Sequence, residues 1–179
     1  MKSIFITLAI CLVTKAAYAT SQVPEVLIYD GVTNDMYSTP LDSFFTTNNP
    51  MPRVFFEHPS STACWRSYVG TWKIEEGVLY LVSLCEGYPR TASIPLNKVD
   101  SKWISPVAAT WFTGEIRIGK GEVLMGGMGF SETRATDIFL QIKDGKVVST
   151  REVDNTTQDN RAEQGGAGYP PQGVASPDP

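Results

Sequence analysis

The sequence predicts a mostly β protein. We expect an antiparallel β-sheet domain, either a sandwich or an open barrel of consecutive hairpins, with at most one short helix. Short apolar runs alternate with glycine-containing turns, and Asp144-Gly145 between two such runs is a strong hairpin signal. Apolar residues at helical spacing are scarce. Hairpins joined by short turns favour antiparallel pairing over β-α-β units.

The predicted strands share short runs of apolar and β-branched residues bounded by turn residues. In chain order they are 26–29, 53–56, 72–74, 78–82, 115–118, 123–125, 138–142 and 147–150. Hairpin turns are expected at 75–77, at 119–121 and at Asp144-Gly145. The one predicted helix is 39–45, with Thr39 as its cap and Pro40 in its first turn.

The N-terminus has the three parts of a secretory signal peptide. Lys2 precedes the apolar segment 4–13, and Ala17-Tyr18-Ala19 is a small-residue cleavage site. The apolar segment is shorter than the roughly 20 residues that cross a membrane. We therefore expect residues 1–19 to be removed and the protein to be exported, to the periplasm or the medium, with no membrane span left.

The composition changes near residue 154. Residues 154–179 are rich in Gly and Pro, and their only sizeable apolar side chains are Tyr169 and Val174. Such a segment buries too little apolar surface to offset the entropy lost on ordering. The sequence therefore predicts a signal peptide at 1–19, a β-rich globular domain at 20–153 and a flexible tail at 154–179.

Charge and composition exclude several functions. The net charge of −4 argues against nucleic acid, or an anionic membrane surface, as the principal partner. The single histidine, His58, excludes metal sites built from two or more imidazoles. The glycine cluster 126–129 lacks the lysine of a phosphate-binding loop, so we predict no metal and no cofactor.

Cys64 and Cys85 are the cysteines that remain after cleavage. An even number in an exported chain predicts a disulfide between them. A regular hairpin would place their sulfurs on opposite faces, so the bond needs a bulge, for example at Gly70, that shifts the register by one residue. The alternative is a Cys64 nucleophile with His58 as its base.

Two blocks of the sequence resemble a known group of proteins. They are residues 63–74 followed by 77–81, and residues 111–118. They resemble a group of small exported bacterial proteins that share a W-R-x-Y-x-x-x-W core, here Trp65 to Trp72. The resemblance covers about half of the chain expected after cleavage. It implies a bacterial source and carries over no activity and no functional residue.

Three side chains near the start of the second hairpin are candidate binding residues. Strand alternation puts Arg66, Tyr68 and Trp72 on one side of a regular strand, as a partly exposed stripe. Tyr, Trp and Arg are the usual anchors of protein interfaces, and aromatic stripes also stack on sugars. The sequence therefore predicts a non-enzymatic module that binds another protein, such as an inhibitor or immunity-type protein.

Two other functions remain open from the sequence. A carbohydrate-binding module is the first alternative, on the same aromatic side chains. A hydrolase using paired carboxylates is the second. Its candidate acids are Asp30, Asp35, Glu57, Asp100 and Glu115.

We predict that the exported protein begins at Thr20, because Ala17 and Ala19 fit the small-residue positions of a cleavage site. Intact-mass measurement of the protein from its native host tests this. A mature species that still carries Met1 or Lys2 would contradict both the cleavage and the export.

Overall fold

The computed structural model describes residues 20–57, 61–87 and 92–157. The predicted signal peptide, His58 and residues 158–179 of the predicted tail lie outside these ranges. Within them the chain forms nine strands: β1 Glu25–Tyr29, β2 Val32–Met36, β3 Tyr68–Glu75, β4 Val78–Glu86, β5 Ser93–Ile94, β6 Val107–Ala108, β7 Gly114–Met125, β8 Thr133–Lys143 and β9 Lys146–Asp154. Three short 3-10 helices lie at Asp42–Phe44, Arg53–Phe56 and Leu96–Lys98.

All nine strands belong to one mainly antiparallel sheet, which confirms the predicted fold class. The order is β3-β1-β2-β7-β8-β9-β4-β5, and β6 pairs with β4. Because β3 also pairs with β4, the path returns to its start and the sheet closes into a ring. β1 and β3 are parallel neighbours, with Leu27 opposite Trp72, although consecutive hairpins alone would give antiparallel pairs.

Three two-residue turns set the hairpins β1–β2, β3–β4 and β8–β9. Asp30-Gly31, Glu76-Gly77 and Asp144-Gly145 all have positive φ at both residues, as the twist of a tight hairpin requires. The second turn is one residue shorter than expected, because Glu75 pairs with Val78 inside the ladder. These acid-glycine dipeptides are the sequence signals that locate the sheet.

Several local predictions are wrong. Residues 53–56 form a 3-10 helix after Pro52 rather than a strand, and the predicted helix at 39–45 shrinks to the 3-10 turn Asp42–Phe44. The turn expected at 119–121 is absent, because Gly121, at φ +78°, forms an irregularity within β7 instead. β2 was not predicted, since its sequence VTNDM is mostly polar.

Apolar side chains fill the space inside the ring. The largest fully buried ones come from β1, β2, β3, β4, β7 and β8 and from the segments between β2 and β3: Leu27, Met36, Leu41, Phe55, Tyr68, Trp72, Leu79, Leu81, Leu84, Ile116, Ile118 and Leu140. Two acidic residues, Glu25 and Asp137, are also completely buried. A buried carboxylate needs hydrogen-bond donors or a counter-charge, so these two residues organise the polar contacts of the fold.

The packing continues past residue 153. Asn155 is buried, and its Nδ2 donates to Asp137 Oδ2 and to the carbonyl of Arg134, both at 2.9 Å. Its backbone N–H donates to the carbonyl of Ala135 at 2.9 Å. Asn155 therefore ties the end of β9 to β8.

We predict that Asn155→Ala lowers the free energy of unfolding by about 1–3 kcal/mol, because it removes a donor from the buried Asp137 carboxylate. Urea unfolding measures the change. Ser149→Ala, at an exposed position on β9, is the matched control and should change stability by less than about 0.5 kcal/mol. Equal effects of the two substitutions would show that Asn155 does not contribute through Asp137.

Candidate functional site

The three predicted binding residues meet inside the fold. Tyr68 and Trp72 have no exposed surface, and the Arg66 side chain is 8% exposed. They therefore do not form the surface stripe that strand alternation suggested. Arg66 also precedes β3, and Ser67 has a positive φ, so strand alternation does not relate Arg66 to Tyr68 and Trp72.

A buried carboxylate brings these residues together. Glu25 Oε1 accepts from Arg66 Nε at 2.6 Å. Its Oε2 accepts from Trp72 Nε1 at 2.7 Å and from the Gly70 backbone N–H at 2.8 Å. Arg66 Nη2 also donates to the carbonyl of Val23 at 2.8 Å. Glu25 thus joins β1 to β3 and to the loop before it.

Gly70 is required at this point because there is no room for a side chain. A Cβ on Gly70 would lie 2.3 Å from Glu25 Oε2 and 2.6 Å from Trp72 Nε1. Glu25 and Trp72 are themselves immobilised in the core, so neither could yield without breaking their hydrogen bond.

Tyr68 extends the buried polar contacts toward the loop that carries Asp42. Its hydroxyl donates to Asp42 Oδ1 at 2.5 Å, and its ring packs on Phe55 with centroids 5.0 Å apart. The Arg66 guanidinium lies 5.6 Å from the ring centroids of both Tyr68 and Phe130. Arg66 therefore contacts the core and, through Phe130, the loop between β7 and β8.

Burial controls the titration of this cluster. Burial raises the pKa of the Glu25 carboxyl, and the nearby Arg66 charge is the largest opposing influence, followed by the hydrogen bonds from Trp72, Arg66 and Gly70. Burial, together with the charges of Glu25 and Asp42, raises the pKa of Tyr68 well above its usual value. All these groups are satisfied by one another, as expected of a structural cluster.

The structure does not contain the predicted disulfide between Cys64 and Cys85. Cys85 lies opposite Val69 in the β3–β4 ladder, whereas Cys64 precedes β3. Each sulfur donates to a different carbonyl, Cys64 to Tyr68 at 3.2 Å and Cys85 to Val69 at 3.4 Å. The register does shift by one residue, but between Thr71 and Trp72 and not at Gly70, and the sulfurs remain apart.

The alternative role for Cys64 gains no support from its surroundings. The residue is fully buried, and burial raises the pKa of its thiol. A thiol that stays protonated is a poor nucleophile. His58, its proposed base, lies outside the described residues.

A second polar cluster surrounds Asp137. Arg117 Nη1 lies 3.5 Å from Asp137 Oδ2, and its guanidinium stacks 4.5 Å from the centroid of Tyr37. The same guanidinium donates to the carbonyls of Phe130 and Glu132. Arg117 therefore holds the segment between β7 and β8 against the sheet.

Two of the candidate acids of a hydrolase, Asp35 and Glu115, pair with different arginines. Asp35 lies 3.4 Å from Arg134, and Glu115 lies 3.3 Å from Arg151 on a different part of the sheet. Among the described residues no three His, Cys, Asp or Glu side chains are grouped as metal ligands. These acids form separate ion pairs with arginines.

The best candidate for an interaction site is a surface that the sequence analysis did not single out. Trp65, next to the buried Arg66, is 76% exposed, and Met128 is 63% exposed. Gln22 connects them: its backbone N–H donates to the carbonyl of Gly129 at 2.9 Å, and its Oε1 accepts from the Trp65 backbone N–H at 3.0 Å. We call Trp65, Gln22 and Met128 the Trp65 surface.

A cluster of half-buried aromatic rings lies elsewhere on the ring of strands. The Trp103 and Trp111 rings are stacked with centroids 4.9 Å apart and 13° between their planes. Phe44 packs on both, at 4.6 and 5.1 Å. Ile104, beside Trp103, is 84% exposed. Phe44 is far from Trp103 and Trp111 in the sequence, so no local pattern predicted that these rings would meet.

Comparisons with protein-family models, curated proteins and solved structures find no match to this chain. The structure defines a β-sheet domain whose sheet closes on itself around a buried glutamate. In the ranges that the structure describes, no helix has the length and apolar character needed to cross a membrane.

We predict that Arg66→Met destabilises the protein by about 3–5 kcal/mol near neutral pH, because it leaves the Glu25 carboxylate buried without its counter-charge. The pKa of Glu25 is already raised, and loss of Arg66 raises it further. The destabilisation should therefore be largest well above that pKa and diminish as the pH falls and Glu25 takes up a proton.

Urea unfolding at about pH 8 and about pH 5 measures this dependence. Adding Glu25→Gln to Arg66→Met should recover part of the loss at the higher pH. Lys73→Met is the control, since the Lys73–Glu75 pair is exposed and contributes about 0–1 kcal/mol. An equal loss for Arg66→Met at both pH values would contradict the assignment to Glu25.

Proposed function

We propose that the protein is an exported, non-enzymatic module that binds another protein through the Trp65 surface. The observation that carries this proposal is the exposure of Trp65, at 76%, on a backbone that Gln22 holds in place. A large aromatic side chain on a fixed backbone loses little entropy on binding. Tryptophan is also among the residues most enriched at the energetic centres of interfaces.

The surroundings of Trp65 support a preformed interface. Gln22 Nε2 donates to the carbonyl of Thr62 at 2.8 Å, so one side chain binds both ends of the Thr62–Trp65 turn. Arg66, the next residue, is held by Glu25 in the core. The exposed indole is therefore attached to a backbone that these hydrogen bonds hold in place.

The contacts of the buried titratable side chains support a structural role for them. Glu25, Tyr68 and Asp137 have raised pKa values because they are buried, and each is bonded to side chains of other strands or loops. These contacts connect elements of the sheet. They favour a binding module over an enzyme.

Export is supported by the sequence at residues 1–19 and by the position of residue 20. Thr20 is exposed, and Ser21 forms a bridge to Gly129 at the surface. The proposed destination is the periplasm or the medium.

A carbohydrate-binding module is the second candidate. The stacked pair Trp103 and Trp111 supports it, because both rings are half-buried beside the exposed Ile104. The apolar faces of sugar rings pack on aromatic side chains. The hydrolase alternative has no comparable support, since Asp35 and Glu115, two of its candidate acids, pair with different arginines.

We predict that Trp65→Ala weakens binding of the partner at least about 30-fold, which corresponds to about 2 kcal/mol. The immobilised protein is used to capture proteins from the exported fraction of the native host. Ile104→Ala is the matched control, because Ile104 is as exposed as Trp65 but lies beside Trp103. Capture that survives Trp65→Ala would contradict the proposal, and binding to a glycan array that Trp111→Ala abolishes would favour the second candidate.

A further inference from the structure

Asp137 is buried with only one of its two carboxylate oxygens bonded. The residue has no exposed surface. Its Oδ2 accepts from Asn155 Nδ2 at 2.9 Å and lies 3.5 Å from Arg117 Nη1. Its Oδ1 accepts no hydrogen bond from the residues that the structure describes. An ionised Asp137 therefore lacks part of the donor set that a buried charge needs.

The side chains on this face of the sheet cover Asp137. Asp137 lies opposite Gly119 in the β7–β8 ladder, and paired residues point to the same face. A Cβ on Gly119 would lie 2.8 Å from both Tyr37 Cε2 and Arg134 Cγ, so these two side chains occupy the space above the pair. The Tyr37 ring packs on Phe130, with centroids 6.1 Å apart. Phe130 belongs to residues 126–132, which we call the β7–β8 connection.

The charges that face Asp137 from β2, β7, β8 and the connection do not balance. Arg117 on β7 is the nearest cation, and Arg134 on β8 also acts on Asp137 through its charge. Arg134 is already paired with Glu132 at 2.8 Å and with Asp35 on β2 at 3.4 Å. When all three acids are ionised, three carboxylates therefore share two guanidinium groups.

The remaining neighbours do not compensate the charge. On β9, the residue opposite Asp137 is the neutral Val153. Arg151, one outward-facing position further along β9, lies 3.3 Å from Glu115. Burial raises the pKa of Tyr37 to about 12, so its hydroxyl stays neutral near neutral pH. Arg117 is thus the cation on which an ionised Asp137 depends.

Arg117 is shared between Asp137 and the β7–β8 connection. Its Nη1 donates to the carbonyl of Glu132 at 2.8 Å but lies 3.5 Å from Asp137 Oδ2. Its Nη2 donates to the carbonyl of Phe130. The guanidinium is therefore closer to the carbonyls than to the carboxyl. An ionised carboxyl competes for the same N–H groups, because charge-assisted hydrogen bonds are about twice as strong as neutral ones.

The β7–β8 connection has few other restraints on its backbone. Three of its residues, Gly126, Gly127 and Gly129, lack a side chain, and Met128 is 63% exposed. Glycine allows a segment more backbone conformations than any other residue does. The bonds from Arg117 are therefore a major restraint on this segment.

We propose that loss of the proton from Asp137 opens the β7–β8 connection. Arg117 then moves from the carbonyls of Phe130 and Glu132 to the carboxylate, and water reaches Oδ1. The proton is released to solvent, and its return closes the connection. This pH-dependent opening is independent of whether Trp65 binds a partner.

The direction of the effect follows from proton linkage. Burial raises the pKa of Asp137, and the charge of Arg117 is the largest opposing influence. Opening hydrates the carboxyl and returns its pKa toward the ordinary value, so the closed form binds the proton more tightly than the open form does. Low pH therefore favours the closed form, and high pH favours the open form.

NMR hydrogen exchange on the unmodified protein, corrected for the intrinsic pH dependence of amide exchange, tests the proposal. The reporters are the amides of Ser131 and Gln22, which donate to the carbonyls of Met128 and Gly129 in the connection. Between about pH 4 and about pH 9 their protection should fall at least about tenfold. The ¹³C resonance of the Asp137 carboxyl should titrate with the same midpoint, above the ordinary value for aspartate.

Two variants separate Asp137 from the other acids. Asp137→Asn keeps the shape of the side chain but cannot ionise, so the reporters should stay protected over the whole range. Asp35→Asn is the matched control, because it removes a carboxylate that is 46% exposed and bonded to Arg134, and it should keep the pH dependence. Thermal unfolding of each variant establishes that it is folded, and the carboxyl titration of the unmodified protein needs no variant.

Three results would overturn the proposal. They are protection that does not change with pH, an Asp137 carboxyl that titrates at or below the ordinary value, and a pH dependence that survives in folded Asp137→Asn. If Glu25→Gln removes a dependence that Asp137→Asn keeps, the effect belongs to Glu25 and reaches Phe130 through Arg66.

Discussion

The buried carboxylate of Glu25 is the constraint on which the rest of the structure depends. It accepts hydrogen bonds from Arg66, Gly70 and Trp72, residues that are 41 to 47 positions away in the chain. Burying a charge is costly unless donors surround it, so these residues must be brought to β1 together. The parallel pairing of β1 with β3 is the arrangement that does so, and this pairing closes the ring of strands.

The same interaction explains why residues suited to an interface are found in the core. Arg66, Tyr68 and Trp72 carry the donors that a buried carboxylate and its neighbours need, and each also brings a large apolar surface. Residue type therefore did not distinguish an interface from a polar core. The distinguishing residue is Glu25, whose partners are too distant in sequence for any local pattern to reveal.

The sequence predicted the turns and strands that are determined by residues close together in the chain. The dipeptide Asp144-Gly145 located a turn because positive φ favours few residues, and the flanking apolar runs became strands. β2 was missed because its mostly polar sequence is a strand only through its pairing with β1 and β7. The Trp65 surface was missed for a related reason, because the exposure of a side chain depends on how distant strands meet.

Arg66 links the stability of the core to the surface that we propose as the interface. Its guanidinium binds Glu25 on one side and packs near Phe130 on the other, and Phe130 belongs to the segment that leads from Met128 to β8. Arg117, on β7, donates a hydrogen bond to the carbonyl of Phe130. Two arginines, each paired with a buried acid, thus fix the loop beside Trp65. Charge pairs in the interior therefore hold the backbone that carries this surface.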